Sequence, residues 1–157
     1  MNKLLLALLL TSSILHAAEN LKFSGTLIER PACTVNHEET IEIPFGDVAI
    51  DKIDGSNYLE IIGLYIYCDG PNTDNVFMET ITFGGTATDF NPAAIDTDVK
   101  GLGIEIRQNG TPLAIGDVLK FREINLPLLQ AVPVKKNGAS LQEGSFEAWA
   151  TIKVEYQ

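Results

Sequence analysis

Basic residues are scarce in this chain: 11 lysines and arginines stand against 21 aspartates and glutamates in 157 residues, a formal net charge of −10. A surface of that sign disfavours nucleic acid and anionic lipid as partners, and no basic patch interleaved with aromatics offsets it. Histidine is scarcer, with two in the chain, His16 and His37. A Ser-His-Asp arrangement would have to use His37 as its base, and no nucleophile motif accompanies it, so an enzyme is not expected. Zinc would need several His or Cys ligands, and the chain has only two cysteines, Cys33 and Cys68. Asp69, Asn72, Asp74, Asp96 and Asp98 lack the spacing and closing glutamate of a calcium loop and read as solvated turn residues, so neither metal nor cofactor is expected. There is no glycine-rich phosphate loop, and Asn109-Gly110-Thr111, which fits a glycosylation acceptor, reads better as a hairpin turn.

Long apolar runs are missing too. The opening "MNKLLLALLLTSSILHAAEN" places Lys3 ahead of an apolar stretch over residues 4–10, then small polar residues and an alanine pair. That stretch is far short of the ~20 residues needed to span a bilayer, and nothing later reaches this length. Residues 1–18 are therefore expected to be a signal peptide cleaved after Ala17 or Ala18, with export and no membrane insertion. Losing Lys3 makes the remainder one unit more acidic. About 140 residues remain, enough for one domain with its own core. In an exported chain, pairing of Cys33 with Cys68 is the economical expectation, against two buried thiols.

Helical stripes with caps are absent from the rest, and period-two alternation recurs in short runs, so the class is all-β. Leu21, Phe23, Gly25 and Leu27 share one face of an opening strand that runs toward Cys33 with a break at Pro31. "TIEIPFG" closes at Gly46. "LEIIGLYIYC", apolar on both faces, is expected as a strand in the middle of a sandwich, with Ile62, Leu64, Ile66 and Cys68 together. In "VFMETITFGG", Phe77, Ile81 and Phe83 alternate before a glycine pair stops the strand. A long loop containing Asp89, Asn91, Pro92, Asp96 and Asp98 follows. "GLGIEIRQNGTPLAIG" is a hairpin turning at Asn109-Gly110, with Leu102, Ile104 and Ile106 on one face. "NLPLLQAVPVKK" contains Pro127 and Pro133, each without an amide donor, which places it at a sheet edge or an irregularity. The final run alternates to the end: Phe146, Ala148, Ala150, Ile152, Val154 and Tyr156 against Glu147, Trp149, Thr151, Lys153 and Glu155. With no repeat or linker, a single two-sheet sandwich accounts for the chain.

Four pieces resemble the chaperone-usher pilins. "NLKFSGTLIERPACTV" is similar to the start of P-pilus tip-fibrillum subunits, although Ala32 separates Pro31 from Cys33 where many pilins have the two adjacent. "FGDV" at residues 45–48 resembles the family's Phe-Gly segment, and "LYIYC" its second cysteine. "GLGIEI" at residues 101–106 resembles its glycine-led fourth strand. Gly144, fourteenth from the C-terminus, and the penultimate Tyr156 match its two C-terminal marks.

The resemblance implies an incomplete immunoglobulin-like β-sandwich that lacks its seventh strand and is completed in trans by a donor strand. Residues 19–28 would be the donor extension running into the first strand, and residues 29–157 the pilin domain. Leu21, Phe23, Gly25 and Leu27 would form the donor strand. Gly144, Phe146, Ala148, Ala150, Ile152, Val154, Tyr156 and Gln157 would border the acceptor groove and meet the chaperone, which in the family holds the terminal carboxylate. The implied partners are a periplasmic chaperone, an outer-membrane usher and neighbouring fimbrial subunits, on a route through the periplasm to a surface fimbrium that supports adhesion. A minor subunit of tip-fibrillum or adaptor kind is expected. A terminator or anchor subunit, or an exported monomeric carbohydrate-binding sandwich, are the alternatives.

Overall fold

The computed structural model describes residues 21–27, 33–68, 79–122 and 125–156. Residues 1–18, expected as a signal peptide, and Pro31, Ala32, the connection holding Asp69, Asn72 and Asp74, Phe77 and Gln157 lie outside them. Among the described residues ten strands form: β1 (Cys33–Val35), β2 (Glu60–Ile61), β3 (Ile66–Cys68), β4 (Glu79–Gly84), β5 (Ala94–Asp96), β6 (Leu102–Gln108), β7 (Thr111–Pro112), β8 (Val118–Phe121), β9 (Leu129–Lys135) and β10 (Thr151–Tyr156). One sheet has the order β2-β9-β6-β5, with β7 folded back on β6; a second runs β10-β4-β8; β1 and β3 form a small third sheet. All pairings are antiparallel.

Alternation explains how the sheets close on each other. Ile81 and Phe83 of β4 and Leu119 and Phe121 of β8 point inward from one sheet, and Ile104, Ile106, Leu129 and Ala131 from the other; together they build one buried cluster. The hairpin at Asn109-Gly110 forms as expected, with φ of 49° and 81° supplying the left-handed turn. β6 is buried on both faces. Its second face carries Glu105, whose carboxylate receives the Arg107 Nε–H at 2.6 Å and the Asn91 side-chain amide at 2.6 Å. Arg107 also donates to the Gly55 carbonyl, so this ion pair ties two loops to the central strand.

Several segments depart from the alternation pattern. The apolar run 59–68 is not one central strand. It splits into β2 and β3, which belong to different sheets, and only Ile62, Leu64 and Ile66 turn inward while Ile61, Tyr65 and Tyr67 stay exposed. Residues 40–46 form no ladder, and residues 21–27 pair with nothing described, so neither is the strand expected. The long loop contains β5, held by pairing of Ile95 with Ile104. β8 was not anticipated, although Leu119 and Phe121 alternate with Val118 and Lys120. The last strand begins at Thr151 rather than in the preceding run.

Pro133 lies inside a sheet, fully buried in β9, yet its missing donor leaves nothing unsatisfied. The Ile62 amide donates to the Leu129 carbonyl, so the odd-numbered residues of β9 turn their backbone groups toward β2. β2 ends opposite Ala131, two residues short of Pro133, which is therefore locally at an edge.

Gly103, the second residue of β6, is required by close approach. A Cβ there would stand 2.6 Å from Thr88 Cγ2 and 3.2 Å from both Ala94 Cβ and the Ile95 carbonyl. Gly103→Ala should therefore lower stability by about 1–3 kcal/mol. Thr88→Ser in the same chain removes the offending methyl while keeping the hydroxyl that bonds Asn91, and should recover part of the loss in denaturant unfolding.

Candidate functional site

β10 pairs with β4 along its whole length, from Thr151 opposite Gly84 to Tyr156 opposite Glu79, and among the described residues with nothing on its other edge. An edge strand presents a row of unpaired backbone donors and acceptors. Here that row borders an apolar groove of about 860 Å³. Its floor is the sandwich core itself, with Phe83, Ile95, Ile104 and Ile106 reaching it from both sheets. Phe146, Ala148, Ile152 and Val154 make one wall and stay only half-buried. The other wall is β1 with Ile41, Ile43 and Phe45, whose alternation with exposed Glu42 and Pro44 persists although no strand pairs with them.

Local chemistry sets that second wall. Between β1 and residue 39 the chain makes a 3-10 turn, Asn36–Glu38, in which three consecutive residues have φ of 45°, 54° and 67°. Left-handed backbone costs roughly 1–2 kcal/mol per non-glycine residue. The turn is held by Asn36, whose backbone amide donates to the Tyr65 carbonyl and whose side chain receives the Tyr65 amide at 2.6 Å and donates to the Gly63 carbonyl. β1 in turn is paired with β3, with Cys33 disulfide-bonded and Cys68 opposite it in register. At the far end the walls touch, where the Phe45 and Phe146 rings lie 6.1 Å apart.

The segment that could fill such a groove stands away from it. Leu21 and Leu27 are exposed and Phe23 is 87% exposed, so residues 21–27 are not a first core strand. Gly25 has open space around it, so nothing within the subunit requires a glycine there. Of the expected groove residues, Phe146, Ala148, Ala150, Ile152 and Val154 line the groove, Gly144 sits ahead of it in a bend with φ 151°, and Tyr156 ends β10. The second wall was not anticipated as part of the site; the half-buried alternation of residues 41–45 was its only signal. Among the described residues no group of three or more His, Cys, Asp or Glu is placed to hold a metal, and no helix is long and apolar enough to cross a membrane.

A sandwich whose core lies open beside an unpaired edge strand is an incomplete immunoglobulin-like fold. Solved structures share it. The P pilus rod subunit PapA superposes with a TM-score of 0.62 at 21% identity, over 80% of this chain and 99% of that one. The P pilus adaptor subunit PapF does so with a TM-score of 0.57 at 20% identity, over 82% and 98%. The sequence model of the family described as "Fimbrial protein" matches residues 21–157. The fimbrial-like protein YfcQ of Escherichia coli (strain K12) is 42% identical over 165 aligned positions covering both chains in full. The chain belongs to the fimbrial protein family, whose members are structural subunits and not enzymes.

Because the disulfide holds a groove wall to the core, its loss should both destabilise the fold and loosen the groove. The cysteines are 35 positions apart (68 minus 33). Replacing both with serine should cost roughly 3–4 kcal/mol. Denaturant titration measures the loss, and faster hydrogen exchange confined to residues 33–45 and 66–68 would report the loosened wall.

Proposed function

We propose that the protein is a structural minor subunit of a chaperone-usher fimbria, of tip-fibrillum or adaptor kind, that polymerises by donor-strand exchange and supports adhesion at the cell surface. One observation carries this: the core residues Phe83, Ile95 and Ile104 form the floor of an apolar groove beside the unpaired edge of β10, while an apolar-alternating arm of the same chain stands unpaired. A strand added along β10 would satisfy the free backbone row and cover the floor with alternate side chains. Its apolar residues would contribute roughly 1.5–3 kcal/mol each on full burial.

In this scheme a periplasmic chaperone lends the strand first, and at the outer-membrane usher the arm of the next subunit replaces it. Leu21, Phe23, Gly25 and Leu27 are what this subunit offers; Phe146 to Val154 border what it receives, with Tyr156 and Gln157 held by the chaperone. Rod and adaptor subunits share the fold, so placement among minor subunits rests on the likeness of the opening sequence to tip-fibrillum subunits. The signal peptide accounts for passage through the periplasm.

Expressed without its chaperone the subunit should aggregate or be degraded, and co-expression should return a soluble one-to-one complex. A stable, monomeric chain in the absence of chaperone would rule the proposal out. Gly25→Leu should reduce incorporation into the fibre roughly ten-fold, because it overfills the neighbour's groove, while chaperone co-purification stays at wild-type level. Deleting residues 154–157 should do the reverse and abolish chaperone capture. Recovery of the truncated chain in a stable chaperone complex would remove the C-terminus from that role.

A further inference from the structure

A strand laid beside β10 turns alternate side chains into the groove and the others outward. The outward ones meet a rim of one sign. Glu38, Glu39 and Glu42 from one wall and Glu147 from the other line the groove mouth, all four exposed. None of them makes an ion pair among the described residues. Lys153 is the single basic residue among the groove's described lining, and its ammonium already lies 2.9 Å from Glu155. Directly opposed like charges on adjacent strands destabilise the pairing, and opposite charges support it.

An aromatic face adds to the rim. Trp149, the only tryptophan of the chain, is 72% exposed at the groove. The walls run in opposite directions, since β1 lies beside β10 while Phe45, farther along the first wall, meets Phe146, ahead of β10 on the second. Glu42 precedes Phe45 by three positions on one wall, Trp149 follows Phe146 by three on the other, and both line the groove. An arginine side chain at this rim would find a carboxylate in Glu42 and an indole face in Trp149.

We propose that the groove selects a donor strand with basic outward side chains, arginine foremost, and disfavours acidic ones; this rests on the groove being a strand acceptor. Apolar inward residues then supply affinity, which any alternating strand offers, and the acidic rim decides which strand is taken.

The test refolds the whole exported chain with synthetic strands of one apolar pattern whose outward positions are arginine, serine or glutamate, and follows occupancy by Trp149 emission. The arginine strand should bind about ten-fold tighter than the glutamate strand at low salt, with serine between. The gap should narrow in about 1 M salt, where screening falls to roughly 3 Å. Glu42→Gln with Glu147→Gln should erase most of it while leaving the serine strand's affinity unchanged. Equal affinity for the three strands, or preference for glutamate, overturns the charge selection and leaves the acceptor role standing. Failure of all three strands to bind overturns both.

Discussion

The free edge of β10 is the constraint on which the rest of this molecule depends. Its inner edge is completed by six residue pairs with β4, and its outer edge pairs with no strand among the described residues. A backbone row can be left to water at low cost, but this one borders an apolar groove, and water there satisfies the amides while wetting the half-buried Ile43, Phe45, Ile152 and Val154. Both problems have one solution, an extended chain with alternating apolar side chains. On the proposed reading that strand comes from another chain, and the fold reaches its full stability only in that complex.

The remaining architecture keeps the groove from collapsing before that strand arrives. The disulfide fixes β1 to β3, and the left-handed turn at Asn36–Glu38, bonded to Gly63 and Tyr65, carries the chain into the half-buried wall of Ile41, Ile43 and Phe45. Gly103 lets the β5 region approach β6, and Glu105 with Arg107 and Asn91 anchors the loops above it. Rigidity in the two main sheets and an unclosed seam between walls are complementary: a preorganised groove binds a strand without the entropic cost of forming the site. The surface acidity acquires a local meaning as well, because part of it is concentrated at the rim.

Much of the fold was legible. Alternation in residues 79–84, 102–108 and 151–156 reports sheet faces directly, since a strand half in contact with a core must alternate. Where the pattern misled, the cause was tertiary. Tyr65 and Tyr67 are apolar enough for a buried face, yet the chain changes sheets between β2 and β3 and leaves them exposed. Residues 41–45 alternate as a strand would, but with the groove beside them open they have no ladder to join. Pro133 correctly signalled an edge, one that exists for only part of an otherwise interior strand.

By itself the sequence determined an all-β chain with a pair of cysteines and alternating arms at both ends, because period, composition and residue type act locally. It could not determine that one arm is left out of the sandwich and the other borders a gap. Phe23 and Phe83 occur in equally apolar, alternating runs, yet one is exposed and the other buried at the groove floor. Which strands find partners depends on edges supplied by segments far apart in the chain, and only the tertiary structure decided that β10 has one paired neighbour among the described residues instead of two.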